Sequence, residues 1–486
     1  MRLNQKKKLL GLITTIDKIM GYVTNENGDR NKKLLKEGGE GLDVLFEVMS
    51  DHFEIRGLIQ KVIDTIGVIT SDEGNCVGLE SDIGKIRKIL NDVRMKLIND
   101  VKTEIEIVFM PYKASMWDSL DSIYREAESD PDCTCKVVPI PYYEKDARGQ
   151  ITRFCYEGNQ LPKDIQTIPF ELYELEKNQP DIIYIHNPYD QYNTLTMVNP
   201  RFFSDNLSKY TDMLVYVPYF IAGSSETSVM SILPAYKQVT KIIVQSDDQK
   251  NTFVVNGLED NKVLNLGSPK IDAMHRAIKT RSEVPLYWSH IINGKKVFLF
   301  NTGIADLLST STWFEQIEQI INFFIAHEQY ALIWRPHPLT EITIQTMRPN
   351  ILEEYTQLQD KLKRATNIIV DNSNDIYQAV SVSDALISDY SSVMLQYIVT
   401  EKPVLGLINE NMTESDRYYY GDYLGCYFTS HGMAVSQFVE MIENDCDIKR
   451  EERVSRFNRS ISNADGTSGQ KIHRRIKEEV MQTIKA

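Results

Sequence analysis

Apolar residues recur at two spacings along this chain, and the change from one to the other divides it. Through roughly the first hundred residues they fall at helical intervals: Leu9, Leu10, Ile13, Ile16 and Met20, then Leu45 and Val48 with His52, then a third stretch from Ile83 to Val101. From Glu104 onward, short apolar runs alternate with amphipathic segments. Ile105 to Met110, Lys136 to Ile140, Asp181 to Ile185, Met213 to Val217, Lys241 to Val244 and Lys262 to Leu266 read as buried strands, with a first helix after Ser115. A second series starts at Lys296, with strands near Val297 to Phe300, Ala331 to Trp334, Asn367 to Val370, Ala385 to Ile387 and Pro403 to Leu407, and a helix from Thr310 to His327. Between the series, Lys279 to Lys295 is irregular and holds Pro285 and Gly294. The pattern predicts an α/β chain: a helical module over 1–101 and two doubly wound, Rossmann-like domains over 102–280 and 295–486, with a cleft between them. A closing helix from about Gly469 to Ile484 suits either domain.

Charge and cysteine usage narrow the partners. Lys plus Arg number 54 against 68 Asp plus Glu, a net charge of -14, which argues against broad attraction to nucleic acid or anionic lipid and leaves only a local basic patch open. Lys6, Lys7 and Lys8 precede an apolar stretch in the manner of a signal peptide, but Thr14, Thr15, Asp17 and Lys18 interrupt it. No run elsewhere is long enough to span a membrane. Six cysteines are few for this length and suit a reducing cytoplasm. Cys133 and Cys135 have the wrong spacing for a metal or redox pair and read as strand residues facing one side. The helical module shows no recognisable chemistry. It reads as a cap or a homo-oligomer surface, with partner binding or peripheral membrane contact as alternatives.

Candidate chemistry sits at strand ends. Trp334-Arg335-Pro336-His337-Pro338 and Ile387-Ser388-Asp389-Tyr390-Ser391-Ser392 each follow a predicted parallel strand, and that edge of such a sheet is where ligands bind. Arg335 offers a planar fork for phosphate, and His337 can donate to a developing charge. Pro336 and Pro338 keep their segment out of a helix. Asp389 or a serine can cap the helix carrying Val393 to Val399, whose first amides favour phosphate; plain capping is the competing reading. Asn301-Thr302-Gly303 ends another strand, with a glycine that admits close backbone approach. Arg335, His337, Ser391 and Ser392 can converge on one anion, in the first instance a nucleotide diphosphate.

Arg335-Pro336-His337-Pro338, Asp389-Tyr390-Ser391-Ser392 and Lys402-Pro403 together resemble the CDP-glycerol glycerophosphotransferases, which make teichoic acid and related phosphate-linked polymers. Gly267-Ser268-Pro269-Lys270-Ile271-Asp272 resembles the Gly-x-Pro-Arg-x-Asp element ending their first domain, with lysine in place of arginine. The resemblance covers roughly residues 180 to 410. It implies a GT-B arrangement, a CDP-linked donor held in the C-terminal domain and an acceptor in the N-terminal one. It also implies transfer without a metal or cofactor, since no acidic motif resembles Asp-x-Asp. Donor binding then falls to Asn301, Thr302, Gly303, Arg335, His337, Asp389, Ser391 and Ser392. Two departures stand out. Where the family carries a Trp-His-Gly-like motif, this chain has Val217-Pro218-Tyr219-Phe220-Ile221-Ala222-Gly223, and Gln396 replaces an aspartate that usually follows Asp-Tyr-Ser-Ser.

A replacement base is available at the end of the strand Asp181 to Ile185, where His186-Asn187-Pro188-Tyr189-Asp190 follows. His186 can take a proton near neutral pH and Asp190 can orient it; a structural histidine is the competing reading. In Pro111-Tyr112-Lys113-Ala114-Ser115-Met116-Trp117-Asp118, Lys113 and Ser115 can face the cleft, with helix capping by Ser115 or Asp118 as the alternative. Tyr112, Lys113, Tyr189 and Tyr219 are the acceptor-side candidates. His275, His290 and His473 have no constellation around them.

The expectation is a cytoplasmic transferase, free or peripheral at the inner membrane face. It would move glycerol phosphate or a related polyol phosphate to a glycan, glycolipid or polymer acceptor in cell-wall or surface-polymer synthesis, with CMP leaving. Two other readings stay open. One is a GT-B glycosyltransferase using a nucleotide sugar, which would release a nucleoside diphosphate; the other is a non-catalytic nucleotide-binding or assembly protein.

Overall fold

Strands as apolar as Ile-Glu-Ile-Val-Phe-Met must be covered on both faces, and all six residues of this one are buried. The computed structural model describes the chain apart from residues 25–27, 72–77, 147, 222–232, 234, 281–283, 374–375, 390, 409–424, 430–431 and 485–486. Ala222, Gly223 and Tyr390 of the sequence motifs lie outside the described residues.

In chain order the first half contributes β1 (Ile105–Met110), β2 (Cys133–Val137), β3 (Tyr142–Lys145), β4 (Ile151–Cys155), β5 (Ile182–Ile185), β6 (Thr196–Val198), β7 (Met213–Tyr216), β8 (Lys241–Val244) and β9 (Val263–Asn265). Six of these form a parallel sheet in the order β2-β1-β5-β7-β8-β9. The remaining three pair antiparallel as β4-β3-β6. The sequence reading missed this small sheet and began the strand at Lys136 where it begins at Cys133; past Val137 the Val138 and Ile140 N–H groups still donate to the Phe109 and Pro111 carbonyls, so the chain stays alongside β1 as far as Ile140.

The second half contributes β10 (Lys296–Thr302), β11 (Tyr330–Pro336), β12 (Ile368–Val370), β13 (Ala385–Ser388), β14 (Val404–Gly406) and β15 (Tyr427–Phe428). They form one parallel sheet in the order β12-β11-β10-β13-β14-β15. Strand order reverses between β1 and β5 in the first sheet and between β10 and β13 in the second. At such reversals the crossover helices leave to opposite faces and a crevice opens beyond the strand ends.

The first residues build helices α1 (Leu3–Gly21), α2 (Gly28–Val48), α3 (Phe53–Ser71) and α4 (Leu79–Asn99). Their apolar faces share one core with Ile105, Ile107 and Phe109 of β1 and with Ile182 and Tyr184 of β5. Arg2 pairs with Glu106 at 2.9 Å. Lys6 is fully buried and spends its ammonium on the Val101 carbonyl at 2.7 Å and the Thr103 hydroxyl at 2.8 Å, its pKa lowered by burial. No described helix is long and apolar enough to cross a membrane.

The C-terminal helix (Ser468–Gln482) packs on the first domain, against α5 (Asp118–Ser129) and the crossing helix (Pro269–Thr280). Asp272 fixes its start, accepting from the Ser468 N–H at 3.1 Å and the Gly469 N–H at 2.6 Å. His473 and Lys477 reach Asp130, at 2.9 and 2.7 Å. Gly267 has φ +87°, and a Cβ there would strike the Ser462 carbonyl and the Ser468 hydroxyl. The Gly267 to Asp272 motif therefore serves the docking of this last helix.

Candidate active site

The second domain's crevice is assembled at its switch point. Asn301, near the end of β10, donates from Nδ2 to the Ser388 hydroxyl at 3.1 Å and the Ser391 hydroxyl at 3.4 Å, so one side chain ties the two loops that flank the strand reversal. The Gly303 N–H donates to the Asp389 carboxyl. A Cβ at Gly303 would come within 3.3 Å of both Asp389 oxygens, so the close approach suits a glycine. Thr302 is buried and its hydroxyl accepts from the Trp334 indole at 3.3 Å.

Asp389 was a candidate for capping the following helix and touching the donor, but it faces inward. It is buried, and burial, with Asp306 alongside, raises its pKa well above the usual carboxylate range. The carboxyl braces the Gly303 turn by accepting from its N–H. The cap is Ser391, whose Oγ accepts from the Val393 N–H at 3.1 Å at the start of the helix Ser392–Tyr397. Ser392 follows it, half-buried. Gln396 is buried on the same helix. Lys402 binds the Ser383 carbonyl below the first residues of β13, away from the strand ends that form the crevice.

Arg335 also departs from expectation. Its guanidinium pairs with Asp371 at 2.5 Å and donates to the Ser373 carbonyl at 2.7 Å, so the fork holds the loop after β12. Asp371 was the missed residue. Its place directly after the predicted strand Asn367 to Val370 was the available signal.

His337 follows β11, and its N–H donates to the Thr302 carbonyl at 2.9 Å, which hangs the residue over the switch point. The Leu339 N–H donates to His337 Nδ1 at 3.1 Å, so in the neutral ring the proton sits on Nε2. Nε2 has no partner among the described residues. Burial and then the nearby Lys113 ammonium hold the ring below its ordinary pKa of 6.5, which keeps it neutral at pH 7. Lys113 belongs to the first domain, three residues past the end of β1. The two domains touch at Asp118, at the start of α5, which accepts from Lys270 at 2.5 Å and from the Tyr377 hydroxyl of the second domain at 2.6 Å.

On the first domain the expected pairing of His186 with Asp190 does not occur. His186 is fully buried; Nε2 accepts from the Tyr112 N–H at 3.0 Å, and Nδ1 lies 3.1 Å from the Ser119 hydroxyl and 3.2 Å from the Met116 carbonyl. Burial pushes its pKa down to about 3. Both nitrogens are therefore spent, and the residue is not set up to take a proton from a substrate. Asp190 accepts from the Ser204 N–H at 3.1 Å and from the Ser204 hydroxyl at 2.6 Å, with burial raising its pKa to about 6. Tyr112 is buried against Tyr142 and His186 and does not line the cleft. Tyr189 and Tyr219 are half-buried at the ends of β5 and β7, in contact with each other. These two and Lys113 remain as the accessible acceptor-side candidates.

A family model described as CDP-Glycerol:Poly(glycerophosphate) glycerophosphotransferase matches residues 222–478, more than half of the 486-residue chain. The chain belongs to that family. The match takes in the whole second sheet and most of the docked C-terminal helix. Among curated glycerophosphotransferase relatives, the teichoic acid glycerol-phosphate primase of Bacillus subtilis (strain 168) is 26% identical over 185 residues, 37% of this chain and 42% of the primase. The chain thus matches less than half the length of that relative. Two solved structures share the fold. A putative UDP-N-acetylglucosamine 2-epimerase from Listeria monocytogenes aligns with TM-score 0.52 at 14% identity, covering 78% of this chain and 97% of its own. The wall teichoic acid polymerase TagF aligns with TM-score 0.50 at 12% identity, covering 88% and 98%. This member of the glycerophosphotransferase family therefore has the GT-B arrangement, two Rossmann-like domains, with its helical layer added at the N-terminus.

Proposed function

We propose that this protein transfers glycerol phosphate, or a related polyol phosphate, from a CDP-linked donor to a hydroxyl of a phosphate-linked polymer or its primer, releasing CMP. The observation that carries the reading is His337. It hangs over the second domain's switch point with a ring N–H left to give. On this reading the donor diphosphate lies along Asn301 to Gly303 and the Ser391-Ser392 turn, with His337 Nε2 donating to a phosphate oxygen.

The acceptor oxygen approaches from the side of Tyr189 and Tyr219 and attacks the phosphorus nearer the polyol. A P–O bond to the polyol phosphorus forms as the bond to CMP breaks; CMP leaves with the bonding electron pair, and the hydroxyl proton passes to a phosphate oxygen of the departing CMP or to solvent. Phosphoryl transfer asks little covalent work of a protein, so catalysis rests on alignment and on stabilising charge, without a metal or cofactor in this reading. His186 acts at one remove, as a positioning residue that fixes the turn at Tyr112.

The test is CMP release by the purified protein from CDP-glycerol and CDP-ribitol, with UDP-glucose as control and a panel of polymer and glycolipid acceptors. His337→Ala should lower turnover about 100-fold or more, the scale of losing one preorganised donor, while leaving the fold intact. Near-normal turnover in folded His337→Ala would overturn its assignment, and a preference for UDP-glucose would move the reaction to sugar transfer.

A further inference from the structure

Helices α1 and α4 reverse the charge of the chain that carries them. Over the whole sequence 68 acidic side chains outnumber 54 basic ones. Within Leu3–Gly21 and Leu79–Asn99 the balance is nine basic against four acidic, so this pair of helices is strongly positive. Where they lie side by side, a surface cavity of about 540 Å³ opens between them. Ile13 and Leu90, both buried, form its floor, and Arg87, Lys88, Asn91 and Arg94 of α4 face Asp17 of α1 along its rim.

The cations of this groove are held in place without being cancelled. Arg87 reaches across to α1, where its Nε and Nη2 donate to the two Asp17 oxygens at 2.8 and 3.1 Å. Arg94 reaches the same way and donates from Nη2 to the Thr14 hydroxyl. Asp17 keeps its charge, its pKa lowered first by the Arg87 hydrogen bond, and it is the one acid that lines the groove. One anion therefore stands against three cations, and among the described residues no carboxylate pairs with Lys88 or Arg94. Arg87 and Arg94 lie two turns apart on one face of α4, about 10 Å along the axis, with Asn91 on that face between them. Two anchored guanidinium forks and an amide over an apolar floor make a donor set suited to phosphate oxygens. A flat anionic surface laid on this module would also meet its exposed acids, Glu80 and Asp92 of α4 and Glu40 and Asp43 of α2. A single flexible strand can follow the groove alone.

We propose that the groove between α1 and α4 is a second binding site for the phosphate-linked polymer, outside the crevice, which holds a phosphodiester of the bound strand between Arg87 and Arg94. That the occupant is the polymer rests on the acceptor reading above; the anion site rests on the groove. A phosphate-linked polymer repeats its negative charge with every unit, so it can be gripped away from the end that receives the next unit. A strand held at both places keeps its terminal hydroxyl at high effective concentration near the crevice. An acceptor too short to reach the groove gains nothing from it.

Titration calorimetry of the full-length protein with a synthetic glycerol phosphate oligomer tests the site, with phosphatidylglycerol vesicles as a second probe. Loss of two cationic contacts in the Lys88→Gln, Arg94→Gln double variant should weaken oligomer binding about tenfold or more, while Arg94→Lys should stay within about threefold of wild type. Lys88→Glu alone, at an exposed position, should weaken it about threefold or more with the unfolding midpoint unchanged. In transfer assays the double variant should raise KM for a long acceptor and leave kcat, and KM for a single-unit primer, as in wild type. Oligomer binding that is absent from wild type, or equal in wild type and the double variant, overturns the site. Vesicle binding that depends on Lys88 and Arg94 when oligomer binding does not also overturns it, and makes the groove a lipid contact. If oligomer binding depends on the groove while no acceptor draws CMP from CDP-glycerol, the groove stands and the transferase reading falls. If CMP is released but oligomer binding ignores the groove, the transferase reading stands and the groove falls.

Discussion

Replacing Asp272 by alanine should loosen the last helix from the first domain. The carboxylate is buried and accepts from two backbone N–H groups, of Ser468 and Gly469, at the start of the helix Ser468–Gln482. Removing it leaves both donors orphaned in a region closed to water, at about 1–3 kcal/mol each, and forfeits a negative charge at a helix N-terminus, worth about 0.3–1 kcal/mol. Against this, burial raises the pKa of Asp272, so keeping the carboxylate charged already costs part of the gain. The net expectation is a loss of about 2–4 kcal/mol. With a urea m-value of about 3 kcal/mol/M, the midpoint of first-domain unfolding falls by about 1 M. Asp272→Asn, which keeps an acceptor oxygen but no charge, should lose about half as much. Trp117 is buried beside α5 and bonded to Asp121 at 3.0 Å, so its fluorescence follows this domain. A midpoint shift below about 0.3 M at unchanged slope would refute the claim that Asp272 holds the helix in place.

Three further outcomes are expected. Arg335→Lys keeps a charge but cannot span Asp371 and Ser373 together, so it should cost about 1–2 kcal/mol of stability and weaken CDP-glycerol binding about tenfold; a loss above about 100-fold with stability unchanged would mean that Arg335 touches the donor directly. His186→Gln should destabilise by about 1–3 kcal/mol through the orphaned Tyr112 N–H, while turnover per folded molecule stays near wild type, and a selective fall in turnover would restore His186 to the chemistry. The acid limb of turnover should lie below pH 6.5, because the pKa of His337 is lowered and protonating Nδ1 would set it against the Leu339 N–H. Removing the neighbouring charge in Lys113→Met should move that limb upward, and a limb that stays put would show that His337 is not the titrating group.

How far the sequence could be read depended on whether a feature was local. Strand ends were legible because each apolar run stops at a recognisable turn, which put Asn301, His337 and Ser391 at one edge of one sheet. Ser391 as a cap followed from residue type and position. The direction a side chain takes after its strand was not legible, and this is where the reading failed. Arg335 turns to Asp371, 36 residues further on, and His186 turns inward to a backbone N–H contributed by Tyr112. Both fit the spacing of a functional residue, yet distant partners claim them. The short β4-β3-β6 sheet escaped notice for a related reason: β4 has four of its five residues exposed and so lacks the apolar run that marks the buried strands. The helical beginning was legible as helix, but its union with the core of β1 and β5 depends on surfaces far apart in the chain.

The docking of the helix Ser468–Gln482 on α5 has a consequence for biosynthesis. A chain made from its N-terminus usually folds its first domain while the second is still being synthesised. Here the first domain has part of its helical layer encoded after the whole of the second sheet. The nascent domain must wait with that face of α5 uncovered until translation has passed Gln482. The half of the protein that is made first is therefore finished last.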